Sequence, residues 1–262
     1  MKPITLKNIM KFALPTIAMS LFMAFYTMVD GLFVSNLIGT NALSAINLSA
    51  PIISLVTAIS TMLATALVTG ITTLMFNWTM LRYVGENGIA AITIIMYVLM
   101  FVSSLFSGYS YGVAPMISYY YGEQNHEKLK KLIRKSLKII AVISVLFLAA
   151  SLIITKPLVS IFARPDNPVF ELAVTGNRIC SIALLFIGFN IFSSGMFTAL
   201  NNGIVSAILA FSRSFVFMVI CLLALPLFFG VTGIWLATPA AELLAIALAC
   251  FMFLKYKNKY KF

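Results

Sequence analysis

The sequence predicts an all-α, polytopic membrane protein of about eight transmembrane helices, and three observations carry that reading. The first is composition: 61% of the 262 residues are hydrophobic and 10% are charged, with a mean hydropathy of +1.04. Soluble domains hold roughly 45–50% apolar and about 25% charged residues, so a soluble fold of this length has no means of burying so much apolar surface. The second is the succession of apolar runs of 20 residues or more, the length that crosses a hydrocarbon core about 30 Å thick. The third is the placement of basic residues in three clusters between and beside those runs. Cytoplasmic segments carry the Lys and Arg excess, so the clusters read as topology signals.

In chain order the apolar segments are Phe12–Ile38, Ala42–Met80, Ile89–Tyr119, Leu137–Phe162, Leu172–Leu200, Ile204–Phe229 and Val231–Leu254. The first is too long for the apolar core of a cleaved signal peptide and is expected to stay as a spanning helix. The second carries no charge over nearly 40 residues, and as one helix it would run roughly 58 Å. The basic clusters decide how it crosses. They comprise Lys2, Lys7 and Lys11; Lys128, Lys130, Lys131, Arg134, Lys135 and Lys138; and Lys255, Lys257, Lys259 and Lys261. All three are expected on the cytoplasmic side, which places both termini there. Four spans separate the second cluster from the third. An even number is needed between the first and second, so Ala42–Met80 is expected to cross twice, with its turn within Ser60–Gly70. A long tilted helix is the alternative. An echo between Gly39–Ile46 and Gly85–Ile92 supports the even count, because parallel repeats place equivalent junctions on one membrane face.

The net charge of +11 does not indicate a nucleic-acid partner, since the basic residues lie between apolar runs instead of on an aromatic-bearing polar face. Cys180, Cys221 and Cys250 lie inside apolar segments without metal or redox spacing and read as packing residues. No zinc spacing, phosphate-cradling loop, nucleophile elbow or histidine triad is present, and His126 sits among loop residues beside Glu123 and Glu127. An enzyme is therefore not expected.

Ionisable groups inside membrane spans are costly and are the natural candidates for function. They are Asp30, Arg178, Arg213 and Glu242. Asp30, flanked by Tyr26, Met28 and Gly31, is a candidate proton or cation site, because desolvation raises a carboxyl pKa toward neutrality. Its structural alternative is a neutral Asp bonded to a neighbouring helix through Asn190 or Tyr26. Glu242 reads as a partner for Arg213 or as an interhelical hydrogen bond. Arg178 and Arg213 are explained by snorkelling from helix ends or by pairing with a carboxylate. Tyr26, Asn190, Arg213 and Glu242 together form a candidate intramembrane polar network. Pro15 frees a backbone carbonyl in the first span and marks a bend or hinge. The 14 methionines and 22 phenylalanines suit a cavity for varied apolar ligands, although most must face lipid.

Several stretches resemble the multidrug and toxic compound extrusion (MATE) family of cation-coupled antiporters. They are Ala13-Leu14-Pro15 with Thr27-Met28-Val29-Asp30-Gly31 and LIGTNALSAINLSAPI, then FNWTMLRYVGENGIAAITI with GYSYGVAPMISYYYGEQNHEKLKKLIRKS, and finally GIWLATPAAELLA. The family has twelve helices in two six-helix lobes. This chain resembles the first helix and much of the second joined to the seventh onward. The resemblance thus implies an incomplete N-terminal lobe over residues 1–66 and a C-terminal six-helix lobe over 67–262, with the join near Ala64–Gly70. It implies that Asp30 is the coupling carboxylate and Pro15 the associated bend. A sodium site of the kind built in some C-terminal lobes is not expected, since neither Leu67–Met80 nor Ser181–Leu200 contains an acid.

The function the resemblance implies is efflux of small lipophilic cations across the cell membrane in exchange for H+ or Na+, with no other cofactor and no metal centre. Two alternatives stand beside it: a non-transporting remnant or partner subunit, and a lipid-linked saccharide flippase of the same superfamily. The flippase reading calls for more cavity-facing basic residues than Arg178 and Arg213. Partners are the lipid bilayer and the transported cations, with self-association as a route to completing a second lobe.

Overall fold

A computed structural model describes residues 5–37 and 63–261, and the described chain is helical throughout apart from short turns. The helices are α1 (Leu6–Leu37), α2 (Leu63–Tyr83), α3 (Glu86–Gly122), α4 (His126–Ser160), α5 (Pro168–Cys180), α6 (Leu184–Ala199), α7 (Gly203–Phe211), α8 (Phe217–Phe229) and α9 (Val231–Tyr260). A 3₁₀ turn, Ser181–Ala183, joins α5 to α6, and a π turn, Ser212–Val216, joins α7 to α8. Each of those pairs acts as one membrane-length rod. Among the described residues six rods are long and apolar enough to span: Leu6–Tyr26, Glu86–Gly122, His126–Ser160, Pro168–Ala199, Gly203–Phe229 and Val231–Tyr260.

Helix ends fall where local chemistry stops or starts a helix. Asn125 accepts from the Lys128 amide at the start of α4, Asn167 accepts from the Val169 amide with Pro168 in the first turn of α5, and Asn202 accepts from the Val205 amide to open α7. The α2–α3 and α8–α9 turns pass through Gly85 at φ +85° and Gly230 at φ +56°, a conformation that costs glycine nothing.

Helix α3 is the axis of the molecule, with α1, α2, α4, α5 and α6 packed around it. Its contact with α1 depends on Gly108 and Gly112, which let the backbones meet. A Cβ at Gly108 would lie 2.5 Å from the Ile17 Cα, and one at Gly112 would enter the Ala13 backbone. Small residues four apart are the usual means of close helix packing in lipid, where no hydrophobic gradient drives association. On another face of α3, Gly188 of α6 receives the Phe106 ring and Gly195 receives Ser110.

The apolar interior divides into two halves along the membrane normal. One gathers Ile9, Ala13, Tyr120, Leu129, Phe197 and Tyr260; the other gathers Met80, Ile92, Val159, Val174, Cys221 and Trp235. The first half therefore joins the start of α1, the end of α3, the start of α4 and the end of α9. Lys7 and Lys11, the Lys128–Lys138 cluster and the Lys255–Lys261 cluster consequently lie at one end of the bundle. The central basic cluster, which precedes the apolar run expected from Leu137, is helical: it occupies the first turns of α4, which reaches past the apolar zone.

Helices α1 and α2 run in the same sense. The α1 start belongs to the basic end, while Asn36 near its other end donates to the Ile161 carbonyl at 3.1 Å. In α2, Thr72 reaches the Ser214 carbonyl mid-bundle and Tyr83 reaches the Pro226 carbonyl near the opposite end. The expected turn within Ser60–Gly70 is corrected in part. Residues 63–70 are helical and Gly70 is buried, because α2 needs their length to pack beside the π turn. The rest of that expected turn, and the first copy of the Gly39–Ile46 echo, lie outside the described residues.

Outward-facing positions are apolar, as lipid demands. Ile153 of α4 and Phe228 of α8 are 80% and 79% exposed. Such positions would be aggregation sites in water and are ordinary in a bilayer.

Candidate functional site

The charged centre of the bundle is built from α6, α9 and the π turn. Glu242 lies about 11 residues along α9 and Arg213 about 10 residues into the α7–α8 rod, so each sits roughly 15 Å from the nearer helix end. Arg213 Nη1 donates to Glu242 Oε1 at 2.9 Å, and their side chains are 25% and 7% exposed. Asn190 Nδ2 donates to Glu242 Oε2 at 2.6 Å and to the Glu242 carbonyl at 3.0 Å. Both carboxylate oxygens are thus occupied by donors, one of them cationic, which is the arrangement that lets an ionised acid persist away from water.

The backbone prepares this meeting. A π turn widens the helix by one residue and is found most often at functional positions. Here it carries Arg213 inward, and its Ser214 carbonyl accepts from Thr72 of α2 at 3.3 Å. On α9, Pro239 lies one turn before Glu242 and removes the amide that would bond the Trp235 carbonyl. The buried thiol of Cys180 donates to that carbonyl at 3.2 Å.

Three of the four residues expected in an intramembrane network therefore come together: Asn190, Arg213 and Glu242. Tyr26 does not join them, being 64% exposed on α1. Arg213 is far from any end of its rod, so of its two expected readings, snorkelling or pairing with a carboxylate, the structure has the second: it is held by Glu242. Arg178 is exposed in the last turn of α5. Pro15 lies within α1, where Thr16 Oγ1 donates to the Ala13 carbonyl at 2.8 Å, and Ala13 and Thr16 on either side of it make the close contact with Gly112. Asp30 is on the helical backbone of α1, and its side chain lies outside the described residues.

A second buried polar cluster was not anticipated from sequence. Asn177 Nδ2 donates to Ser151 Oγ and Thr155 Oγ1, each at 3.2 Å, and Ser151 and Ser181 share a hydroxyl hydrogen bond of 2.6 Å. It ties α4 to α5 at the 3₁₀ turn. Its signal in the sequence is Asn177 inside an apolar run, four residues before Ser181, a spacing that aligns both on one helix face. Among the described residues no group of three or more His, Cys, Asp or Glu could hold a metal ion.

The MatE family model matches residues 71–224, more than half of the chain. The chain belongs to the MATE family. A relative known as Multidrug export protein MepA, from Staphylococcus haemolyticus, is 27% identical over 190 residues, covering 72% of this chain and 41% of MepA. Among solved structures, the outward-facing conformation of a multidrug resistance MATE family transporter of the MOP superfamily superposes with TM-score 0.70 at 20% identity, covering 76% of this chain and 45% of that one. The inward-facing conformation of a transporter so described gives 0.68 at 22% identity, covering 75% and 45%. A MOP superfamily transporter from Pyrococcus furiosus, described as having a binding pocket of reversed polarity, gives 0.70 at 20% identity, covering 76% and 45%. At these identities the structural likeness establishes the fold. The matched part spans less than half the length of each of these relatives.

As a MATE family member the chain is a multi-pass membrane protein of a transporter family. The Glu242–Arg213–Asn190 centre lies near the middle of this membrane fold.

Proposed function

We propose that this chain exports lipophilic organic cations in exchange for inward-moving protons or sodium ions, with Asp30 as the coupling carboxylate. The observation that carries the reading is family membership over residues 71–224. A proton or sodium ion at Asp30 weakens its attraction for a cationic substrate, and loss of that ion restores it. A ligand shifts inward- and outward-open states only by its difference in affinity for them, so competition at one carboxylate is enough to couple the two flows. In this mechanism Pro15 sets the bend of α1 on which Asp30 rides. The Glu242–Arg213 pair adds no net charge to the membrane interior and holds α9 against the α7–α8 rod as that unit moves.

Residues 67–262 form the C-terminal lobe in this reading, and residues 1–66 are what is present of the N-terminal lobe. The nearly equal superposition on chains described as outward- and inward-facing supports a unit that moves as a body, the usual form of alternating access. The grouping of all described basic clusters at one end of the bundle supports a cell-membrane orientation with both termini cytoplasmic.

A second reading is favoured by one observation. Helix α1 packs on α3 and presents Met19, Phe22, Met23, Phe25 and Tyr26 outward, each 59% or more exposed. That face suits a second copy or another lobe, which makes the chain one half of an assembled transporter.

Drug resistance of cells expressing the chain tests the proposal. Resistance to lipophilic cations that is abolished by Asp30→Asn supports coupling at Asp30. Resistance unaffected by Asp30→Asn removes that role. Absence of resistance, restored only by co-expressing another MATE chain, favours the half-transporter reading.

A further inference from the structure

Helices α4 and α9 flank a groove at the basic end that the transport reading does not use. Its upper part is lined by Lys130, Arg134 and Leu137 of α4 with Phe253, Leu254 and Lys257 of α9. Leu137, Phe253 and Leu254 also border its lower part, a trough of about 510 Å³ that continues along Ile246 and Cys250 of α9 toward Phe189 of α6.

Helical spacing aligns these residues. Lys130, Arg134 and Leu137 follow the i, i+4, i+7 stripe of α4, while Ile246, Cys250, Phe253 and Lys257 follow i, i+4, i+7, i+11 on α9. The charges of both stripes lie at one end, where Ile133 also lines the mouth, and the remaining apolar side chains lie below. From Lys257 to Ile246 the groove descends roughly 16 Å, which is about half of a 30 Å hydrocarbon core, or one leaflet. Lys130, Arg134 and Lys257 have no carboxylate partner among the described residues, so three cations are left to converge on the groove mouth.

We propose that this groove is a binding site for one anionic glycerophospholipid, its phosphate held by Lys130, Arg134 and Lys257 and one acyl chain lying in the trough down to Phe189. The charge complementarity sets the class. A zwitterionic headgroup would bring its own cation against these three. A free phosphate would leave the apolar trough without an occupant. Basic pockets between helices at the membrane surface bind anionic headgroups by this means. Glu242 is not among the residues that line the groove.

The test is native mass spectrometry of the full chain released from mixed micelles holding equal amounts of phosphatidylglycerol and phosphatidylcholine. The unmodified chain retains phosphatidylglycerol preferentially, and each of Arg134→Gln and Lys257→Gln lowers that preference by about fivefold, the value of one basic residue near a lipid phosphate. Cys250→Trp, which fills the trough without changing charge, lowers retention of both lipids. Lys131→Gln with Lys138→Gln removes two charges from α4 outside the mouth and leaves the preference intact. Equal retention of the two lipids by the unmodified chain overturns the proposal. So does an equal loss in the Lys131/Lys138 variant, which would mean diffuse attraction to the basic end, or full retention in Cys250→Trp. Inorganic phosphate at millimolar concentration leaves the preference unchanged; displacement of the lipid by phosphate alone would likewise contradict it.

Discussion

The thiol of Cys180 donates to the backbone oxygen of Trp235 across 3.2 Å, and that oxygen is the one Pro239 deprives of its helical donor. A proline within a membrane helix is tolerated when a neighbour satisfies the freed carbonyl, and here the neighbour is a buried cysteine on the adjacent rod. The bond fixes α9 against the α5–α6 junction about two turns before Glu242.

Cys180→Ala is expected to lower the stability of the detergent-solubilised protein by about 1–3 kcal/mol, the cost of an unpaired buried acceptor. Cys180→Ser keeps a donor and is expected to lose less. Pro239→Ala restores the amide, so Cys180→Ala in that background should cost clearly less than in the original chain. Thermal unfolding midpoints of the four proteins give the double-mutant cycle, and strict additivity would show that the two residues do not share this carbonyl.

Glu242→Gln removes the charge opposite Arg213 and is expected to destabilise by on the order of 2–3 kcal/mol. This is less than the about 3–5 kcal/mol for a fully buried pair, because the Arg213 side chain is 25% exposed. The double variant Arg213→Gln with Glu242→Gln should recover most of the loss. Unfolding midpoints that fall further in the double variant than in Glu242→Gln would refute a charge-pair origin.

Gly112→Leu and Gly108→Leu are expected to push α1 away from α3, since even a Cβ at either position meets backbone. Gly122→Ala, with nothing within 4 Å of its added Cβ, serves as the neutral comparison. Limited proteolysis after Lys11 should accelerate in the first two variants and not in the third. Unchanged cleavage would mean that α1 does not depend on this contact.

The sequence made the helices legible because lipid imposes a simple rule: every spanning segment must be apolar and must satisfy its own backbone. Length and charge placement therefore located the rods from Ile89 onward, and they marked the basic residues that gather at one end. What stayed hidden was non-local. Nothing in the Ser212–Val216 composition announces a π turn, so Arg213 looked like a helix-end residue when it is a mid-membrane one. Asn190 and Glu242 were visible as costly polar groups, but 52 residues separate them in sequence, and only packing of α6 on α9 makes them partners. Tyr26 was grouped with them on polarity alone, and its position on α1 faces away. The Asn177 cluster escaped notice because serine and threonine are common in membrane helices and attract attention only when a buried amide joins them.

Single cysteines placed at Lys7, Gln124 and Lys259 are expected to react with an impermeant maleimide only after the membrane is opened. One at Asp166, in the α4–α5 turn at the opposite end, should react in intact cells. Labelling of Gln124→Cys from outside, with Lys7→Cys protected, would break the common placement of the basic clusters.

The most direct test is flux of a fluorescent lipophilic cation in proteoliposomes containing the purified chain. An imposed proton or sodium gradient should drive accumulation that stops when the gradient is dissipated and is lost in Asp30→Asn. No gradient-dependent accumulation by the unmodified chain, or equal accumulation by Asp30→Asn, would contradict export coupled through that carboxylate.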